Sequence, residues 1–221
     1  MNVETALLNR KSTRAFLDKD VPVDLINNII EQAKMAPSGV NTQPWQVAVV
    51  TGQSKRNIEK KMEDAFRSGT KGVMEYEYYP TEWDEKYKQR RKACGLLMYS
   101  TLEITREDKQ RQLDQWAANY RAFDAPVMLF FFIDRVMKNG SYIDYGMFLQ
   151  SIMLAAVAEG LGTCPQAALG EYPEIVKGEL GYSDDTVLLC GMALGYEDES
   201  NIINSYRTDR EPLEEIVKYF S

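Results

Sequence analysis

Apolar residues recur at helical spacing at Leu25, Ile26, Ile29, Ile30 and Ala33, which predicts a helix with one core-facing side. It opens at Val21-Pro22-Val23-Asp24, with proline in the first turn. It ends before Pro37, because a residue preceding proline is pushed out of the helical region. A short helix over Val3–Asn9 comes before it. Gln46–Thr51 is apolar and β-branched and predicts a buried strand. Ser54–Phe66 follows as an amphipathic helix with Ser54 at its N-cap. Val127–Ile133, VMLFFFI, is apolar at every position and predicts a strand covered on both faces; Thr186–Leu194 predicts another. Tyr142–Leu161 is a long helix, apolar on most sides and closed by Gly160 and Gly162. Such a helix must be buried, in the core or in a subunit interface. Pro173–Leu180 is a short helix with proline near its start.

Two regions break this pattern. Residues 68–114 are charged and tyrosine-rich, punctuated by Gly69, Gly72 and Pro80, and run into a helical stretch over Glu107–Asn119. The tail, residues 197–221, is polar and extended up to a last short helix near Leu213–Phe220. The alternation of elements is irregular and there is no dinucleotide glycine fingerprint, so a Rossmann domain is excluded. The expectation is an α+β fold: a small, mainly antiparallel sheet surrounded by helices, as one domain over residues 1–221 in an intertwined homodimer. Residues 68–114 form a lid or insertion in this reading, and residues 197–221 a dimer-wrapping tail. A helix apolar all round and a tail leaving its own domain both call for a partner subunit.

Composition narrows the chemistry. The 221 residues are 44% hydrophobic and 27% charged, ordinary for a globular domain with a full core. A net charge of −7 argues against a nucleic-acid binder. There is no histidine, which removes Ser-His-Asp and Cys-His catalysis and the commonest transition-metal ligand. The cysteines, Cys94, Cys164 and Cys190, are odd in number and widely spaced, giving neither a disulfide framework nor a zinc site. They read as reduced thiols of a cytoplasmic protein. The N-terminus has no apolar run of signal-peptide length, and the longest apolar stretch, Ile152–Ala158, is too short to span a bilayer.

In an acidic chain, local basic clusters stand out as sites. Arg10-Lys11-Ser12-Thr13-Arg14 places three cations and two hydroxyls in five residues, the chemistry of a phosphate grip. In an extended segment Arg10, Ser12 and Arg14 point the same way. Pro37-Ser38-Gly39-Val40-Asn41 forms a turn in which Gly39 permits close backbone approach and Ser38 offers a hydroxyl; Asn41 equally suits a turn-capping role. Arg207 and Arg210 add a cationic cluster near the C-terminus, with Arg207 also placed for a surface ion pair to Asp209 or Glu211. Cys164 has no base or cation beside it in sequence and reads as a buried structural thiol.

RKSTR, PSGVNTQPW and YRTDREPL, in that order, resemble the FMN-dependent nitroreductase family, with some similarity to its iodotyrosine deiodinase branch. The resemblance implies the family's fold, an FMN cofactor, NAD(P)H as hydride donor and a homodimer. It implies that Arg10, Lys11 and Ser12 bind the FMN phosphate region and that Arg14 reaches the pyrimidine edge of the flavin. Pro37, Ser38 and Gly39 would cover the flavin edge from the second subunit, and Arg210 would be a second phosphate ligand. Pro165, Gln166 and Ala167 would run past flavin N5, with the Ala167 N–H as donor to it; no side chain need act as acid or base. Val40, Asn119, Tyr120, Arg121 and Phe123 are the substrate candidates implied.

The expected reaction is a ping-pong hydride transfer to a nitroaromatic or quinone-type acceptor, with the protein supplying orientation and electrostatics. Tyr76, Tyr78, Tyr79, Trp83 and Tyr87, with Trp116, Tyr120 and Phe123, either wall a pocket for a flat aromatic substrate or serve as core. The alternatives are a reductive dehalogenase and a flavin-binding protein without turnover. Glu75 and Tyr79 have the E-x-x-x-Y spacing of a deiodinase lid, but Asn119 stands where that branch places a lysine.

Overall fold

Strand β2, Val127–Asp134, organises the core. Its odd positions, Val127, Leu129, Phe131 and Ile133, enter one apolar cluster, and Met128, Phe130 and Phe132 enter a second on the opposite face. Side chains alternate along a strand, so the unbroken apolar run has a direct cause: both faces of the sheet are covered. The computed structural model describes residues 1–221. Around β2 stand β1 (Gln46–Val50), β3 (Gly162–Gln166) and β4 (Thr186–Gly195), all pairs antiparallel, in the order β1-β2-β4-β3. The helices are α1 (Val3–Asn9), α2 (Val23–Ala33), α3 (Gly52–Arg67), α4 (Glu85–Thr101), α5 (Lys109–Ala117), α6 (Asn139–Ala158) and α7 (Pro173–Leu180). Ile26 and Ile29 of α2 pack with Phe148 and Ile152 of α6 on one face, while Ile58 and Met62 of α3 pack with Val176 of α7 on the other. Full burial of each such side chain stabilises the fold by about 1.5–3 kcal/mol.

The α+β expectation holds, with four corrections. Helix α3 begins at Gly52, after an extended Thr51 that makes no side-chain cap, so Ser54 lies inside the first turn. Helix α4 was not anticipated: none of its residues is buried, so it carries no apolar rhythm to read. Strand β3 was also missed; its sequence, GTCPQ, has a proline that only an edge strand tolerates. The tail forms two 3-10 turns, at Ile202–Asn204 and Leu213–Glu215, and no terminal helix. The long helix runs over Asn139–Ala158, with Gly160 at φ +75° beyond its end. Within one chain it buries only part of its surface: Phe148 and Ile152 are enclosed while Ile143 and Met147 are exposed. No helix is long and apolar enough to cross a membrane.

The sheet has one irregularity with consequences. Between Phe131 and Phe132 the register with β4 shifts, passing from Cys190 to Leu188, so Leu189 is the extra residue of a bulge. Its carbonyl accepts a hydrogen bond of 2.8 Å from the Tyr76 hydroxyl. Two residues on, Gly191 has no room for a side chain: a Cβ there would lie 2.6 Å from Leu169 Cδ1 and 2.9 Å from the Leu129 carbonyl oxygen. Gly191→Ala is therefore expected to cost about 1–3 kcal/mol, read as a lower midpoint in urea at unchanged slope.

Candidate functional site

The RKSTR segment lies along the outer edge of β3. Ser12 forms a parallel bridge with Thr163, and the Thr13 N–H donates to the Thr163 carbonyl at 2.9 Å. Thr13 is buried against Gly162, where a Cβ would come within 2.5 Å of its hydroxyl oxygen. The tail latches the other side. The Arg14 N–H donates to Asn204 Oδ1 at 2.8 Å, and Asn204 Nδ2 returns a bond to the Ala15 carbonyl. Lys11 reaches Glu197 at 2.6 Å and donates to the Asn204 carbonyl at 2.8 Å. Arg207 donates to the carbonyls of Leu8 and Arg10, which corrects its reading as a surface ion pair. It fixes the turn out of α1 on which Arg10 is carried.

These contacts assemble a cleft of about 460 Å³ whose wall includes Arg10, Ser12, Arg14, Arg207 and Arg210. Lys11 also lines it, with its ammonium already paired. None of the four arginines has a carboxylate within 4 Å. The Arg10 guanidinium is held below its usual range by burial first and then by the charges of Arg210 and Arg207. Converging cations without a counter-charge repel one another, and an anion relieves that repulsion. Guanidinium groups with a hydroxyl between them match a phosphate. Cys164 lies beneath, its thiol pushed up by burial despite Arg14, Ser12 and Arg10, in keeping with a structural role.

A second cavity, of about 650 Å³, opens where β3 continues into Pro165, Gln166 and Ala167. Tyr76, Tyr142 and Tyr145 are among its walls. The Tyr145 hydroxyl is within 3.0 Å of the Gln46 N–H and carbonyl and 2.9 Å from the Phe132 carbonyl, so it is consumed by the sheet. Cys190 lines the same cavity, with its thiol pushed up to about 12 by burial. Asn119 accepts at its carbonyl (2.9 Å) and at Oδ1 (3.3 Å) from Gln166 Nε2, which joins this candidate to the Pro165–Ala167 turn. Gln166 Oε1 and Thr163 Oγ1 are buried without a hydrogen-bond partner, one on each side of Cys164.

Other candidates are placed elsewhere. Tyr120 is buried, its hydroxyl donating to Glu171 at 2.6 Å and its ring against Phe66 and Tyr172. Phe123 is buried in the same cluster. Arg121 is held by Glu63 and Asp124, each at 2.8 Å. None of the three lines either cavity; an apolar core and a paired guanidinium leave them nothing to offer a substrate. Glu75 is likewise engaged, by Lys177 at 2.7 Å, by Arg135 and by the Leu188 N–H at 2.8 Å. Burial opposes its charge, yet those hydrogen bonds hold its carboxyl below the usual range. Its carboxylate is unavailable to an amino-acid substrate.

Pro37, Ser38, Gly39 and Val40 line neither cavity of their own chain. The Gly39 N–H donates to Asp144 Oδ2 at 3.2 Å, and Ser38 Oγ accepts from the Gln43 N–H at 2.9 Å. Asp144 stands roughly 200° around α6 from Tyr142, which faces the second cavity, so the helix separates the loop from it. Val40 is 98% exposed at φ +45°, and Asn41 and Gln43 also have positive φ, at +58° and +47°. A β-branched residue there is strained by about 1–3 kcal/mol. The loop thus holds an apolar side chain out to solvent at a conformational cost.

Sequence reasoning missed Asn204, Tyr206 and Thr208, which complete or brace the cationic cleft. Nothing in the polar tail distinguishes Asn204; only its burial and its side chain's three backbone partners, on Arg14, Ala15 and Asp198, do.

The sequence model of the nitroreductase family matches residues 7–196. The chain is 36% identical to a 4-nitrobenzoate reductase of Pseudomonas putida, over 94% of this chain and 91% of the relative. It is 34% identical to a chloronitrobenzene nitroreductase of Comamonas testosteroni, over 98% and 96%. Its structure superposes on the FMN- and NADPH-dependent nitroreductase NfnB from Sphigopyxis sp. strain HMH with a TM-score of 0.97, at 38% identity, over 100% of both chains.

Proposed function

The chain belongs to the nitroreductase family, and from that premise we propose that it is an FMN-dependent oxidoreductase using NAD(P)H to reduce nitroaromatic or quinone-type acceptors. The observation that carries this reading is the continuity of two features along β3. A cleft of four uncompensated arginines lies at Ser12–Thr163, and a tyrosine-walled cavity opens at Pro165–Ala167.

The residues fit the cofactor. Arg10, Ser12 and Arg210 would hold the phosphate, with Lys11 and Arg207 bracing the segment that carries them. Arg14, with its N–H pinned by Asn204 and its guanidinium 3.1 Å from the Tyr206 hydroxyl, would set positive charge beside the ring. Gln166 Oε1 and Thr163 Oγ1 are orphaned acceptors in the same strand. When bound, FMN supplies two-electron chemistry, taking hydride from NAD(P)H and giving it to the acceptor. The protein contributes charge, orientation and a place where donor and acceptor alternate.

The active unit in this proposal is a homodimer, in which Pro37, Ser38, Gly39 and Val40 complete the partner's site. Exposed Val40, Ile143 and Met147, with Ile216, Tyr219 and Phe220 of the tail, support an interface of that kind. Residues 68–114 cover the acceptor cavity and residues 197–221 wrap the partner. The three free cysteines fit a cytoplasmic protein. Dehalogenation loses its support because Glu75 is consumed by Lys177 and Arg135. A flavin store without turnover has no use for a cavity open beside Pro165–Ala167.

The test is spectroscopic. The purified yellow protein should bleach on anaerobic addition of NADPH or NADH and regain colour with nitrobenzene. A flavin that does not bleach would sink the assignment.

A further inference from the structure

The charge of the acceptor is written in the second cavity. None of the thirteen residues that line it is lysine or arginine, and the one formal charge among them is Glu77. Glu77 is exposed and has no cation within 4 Å. Tyr76, Tyr78, Tyr142 and Tyr145 all contribute to the wall. Tyr76 stands edge-on to Tyr142 at 5.3 Å and to Tyr78 at 6.2 Å. The hydroxyls of Tyr76 and Tyr145 are spent on backbone groups of the sheet, so what these two residues offer the cavity is their rings. The loop assigned to the partner, Pro37–Asn41, brings no cation either. The arginines that could bind an anion are gathered in the other cleft.

From this arrangement we propose that the cavity selects aromatic acceptors by charge, taking neutral or cationic ones and rejecting carboxylates. The proposal rests on the flavin-reductase reading and names the substrate class within it. A carboxylate entering here gives up its hydration and finds no ammonium or guanidinium, and it approaches Glu77. A neutral ring stacks on the tyrosines without that cost. An ammonium or quaternary nitrogen gains from both the ring faces and the carboxylate. Such a protein prefers nitroarenes of neutral or basic character, even though two of its relatives are 4-nitrobenzoate reductases.

Binding of non-reducible analogues separates this from turnover. Benzoate, benzamide and benzyltrimethylammonium are titrated into the oxidised flavin-loaded protein and followed by flavin absorbance. Benzoate should bind weaker than benzamide by about tenfold or more, with benzyltrimethylammonium at least as tight as benzamide. Glu77→Lys should narrow the gap between benzoate and benzamide, and so should raised ionic strength. The kinetic counterpart is kcat/KM for 4-nitrobenzamide against 4-nitrobenzoate, where the change of ratio on Glu77→Lys cancels their intrinsic reactivity. Benzoate binding as tightly as benzamide overturns the proposal, and so does a ratio that Glu77→Lys leaves unmoved. Failure of NAD(P)H to bleach the flavin would overturn the reductase reading and leave this binding order standing.

Discussion

Arg10→Ala is expected to purify nearly colourless, with an apo form that melts no lower than apo wild type. The first half follows from the chemistry of the cleft. A guanidinium bound to phosphate makes charge-assisted hydrogen bonds, each contributing about 1.5–3 kcal/mol. Loss of about 3 kcal/mol weakens FMN binding roughly 100-fold. The second half follows from Arg10 lying partly buried beside Arg207 and Arg210 with no counter-charge. In the empty protein these groups repel, so deleting one removes a strain and no favourable contact. The fixation of the segment is untouched, because Arg207 grips the Arg10 carbonyl and not its side chain. Differential scanning with and without added FMN reads both effects: wild type gains stability with ligand and the variant gains little. Arg10→Lys, a point charge without the planar fork, should fall between them. A variant that keeps its flavin through gel filtration would remove Arg10 from the cofactor site.

Glu75→Gln should lower stability by about 3 kcal/mol, near the bottom of the range for breaking a buried ion pair. The reason is Lys177, which is 4% exposed and would be left with only neutral acceptors, the Thr186 carbonyl at 2.7 Å and the introduced amide oxygen, and no counter-charge. At this chain length that corresponds to a fall in Tm of roughly 10 °C. Because the folded-state carboxyl of Glu75 is held below its ordinary value, its contribution is complete above the unfolded value near pH 4.3. It is lost as pH falls through the folded value. The gap between wild type and variant should therefore be flat from about pH 7 to 5 and close in stronger acid. Glu75→Gln combined with Lys177→Met should recover much of the loss, since the orphaned charge goes with its partner. A gap that widens in acid would show that the destabilisation has another source.

The fold was legible where burial imposes a rhythm. VMLFFFI and the Ile26–Ile29 spacing of α2 could be read because each position faces a core on one side or the other. Helix α4 could not be read, because a helix with no buried residue has no face to mark. Strand β3 hid behind its proline, which an edge position excuses. The cationic site was legible as residue types, since Arg10, Ser12, Arg14 and Arg210 meet in one cleft. What holds them was not: Asn204 and Arg207 act through backbone groups up to 199 residues away in sequence. Tyr120, Arg121 and Phe123 were misread for a simpler reason. They follow α5 toward β2, and the same polar and aromatic types serve a core hydroxyl bond to Glu171 and an ion pair to Glu63 equally well.

Residues 77–108 contain no buried side chain. The segment is joined to the core just before it begins, through Glu75 and the Tyr76 hydroxyl, and again at α5. Two of its residues, Glu77 and Tyr78, nevertheless shape the acceptor cavity. Fold integrity and acceptor choice are therefore carried by different stretches of chain and can drift independently. Cys94 of α4 lines the arginine cleft, but changes ahead of that helix, around Glu77 and Tyr78, spare both the cleft and the sheet, so a lineage can retune what it reduces while what it binds as cofactor stays fixed. In protein engineering the part of this stretch ahead of α4 is an exchangeable cassette.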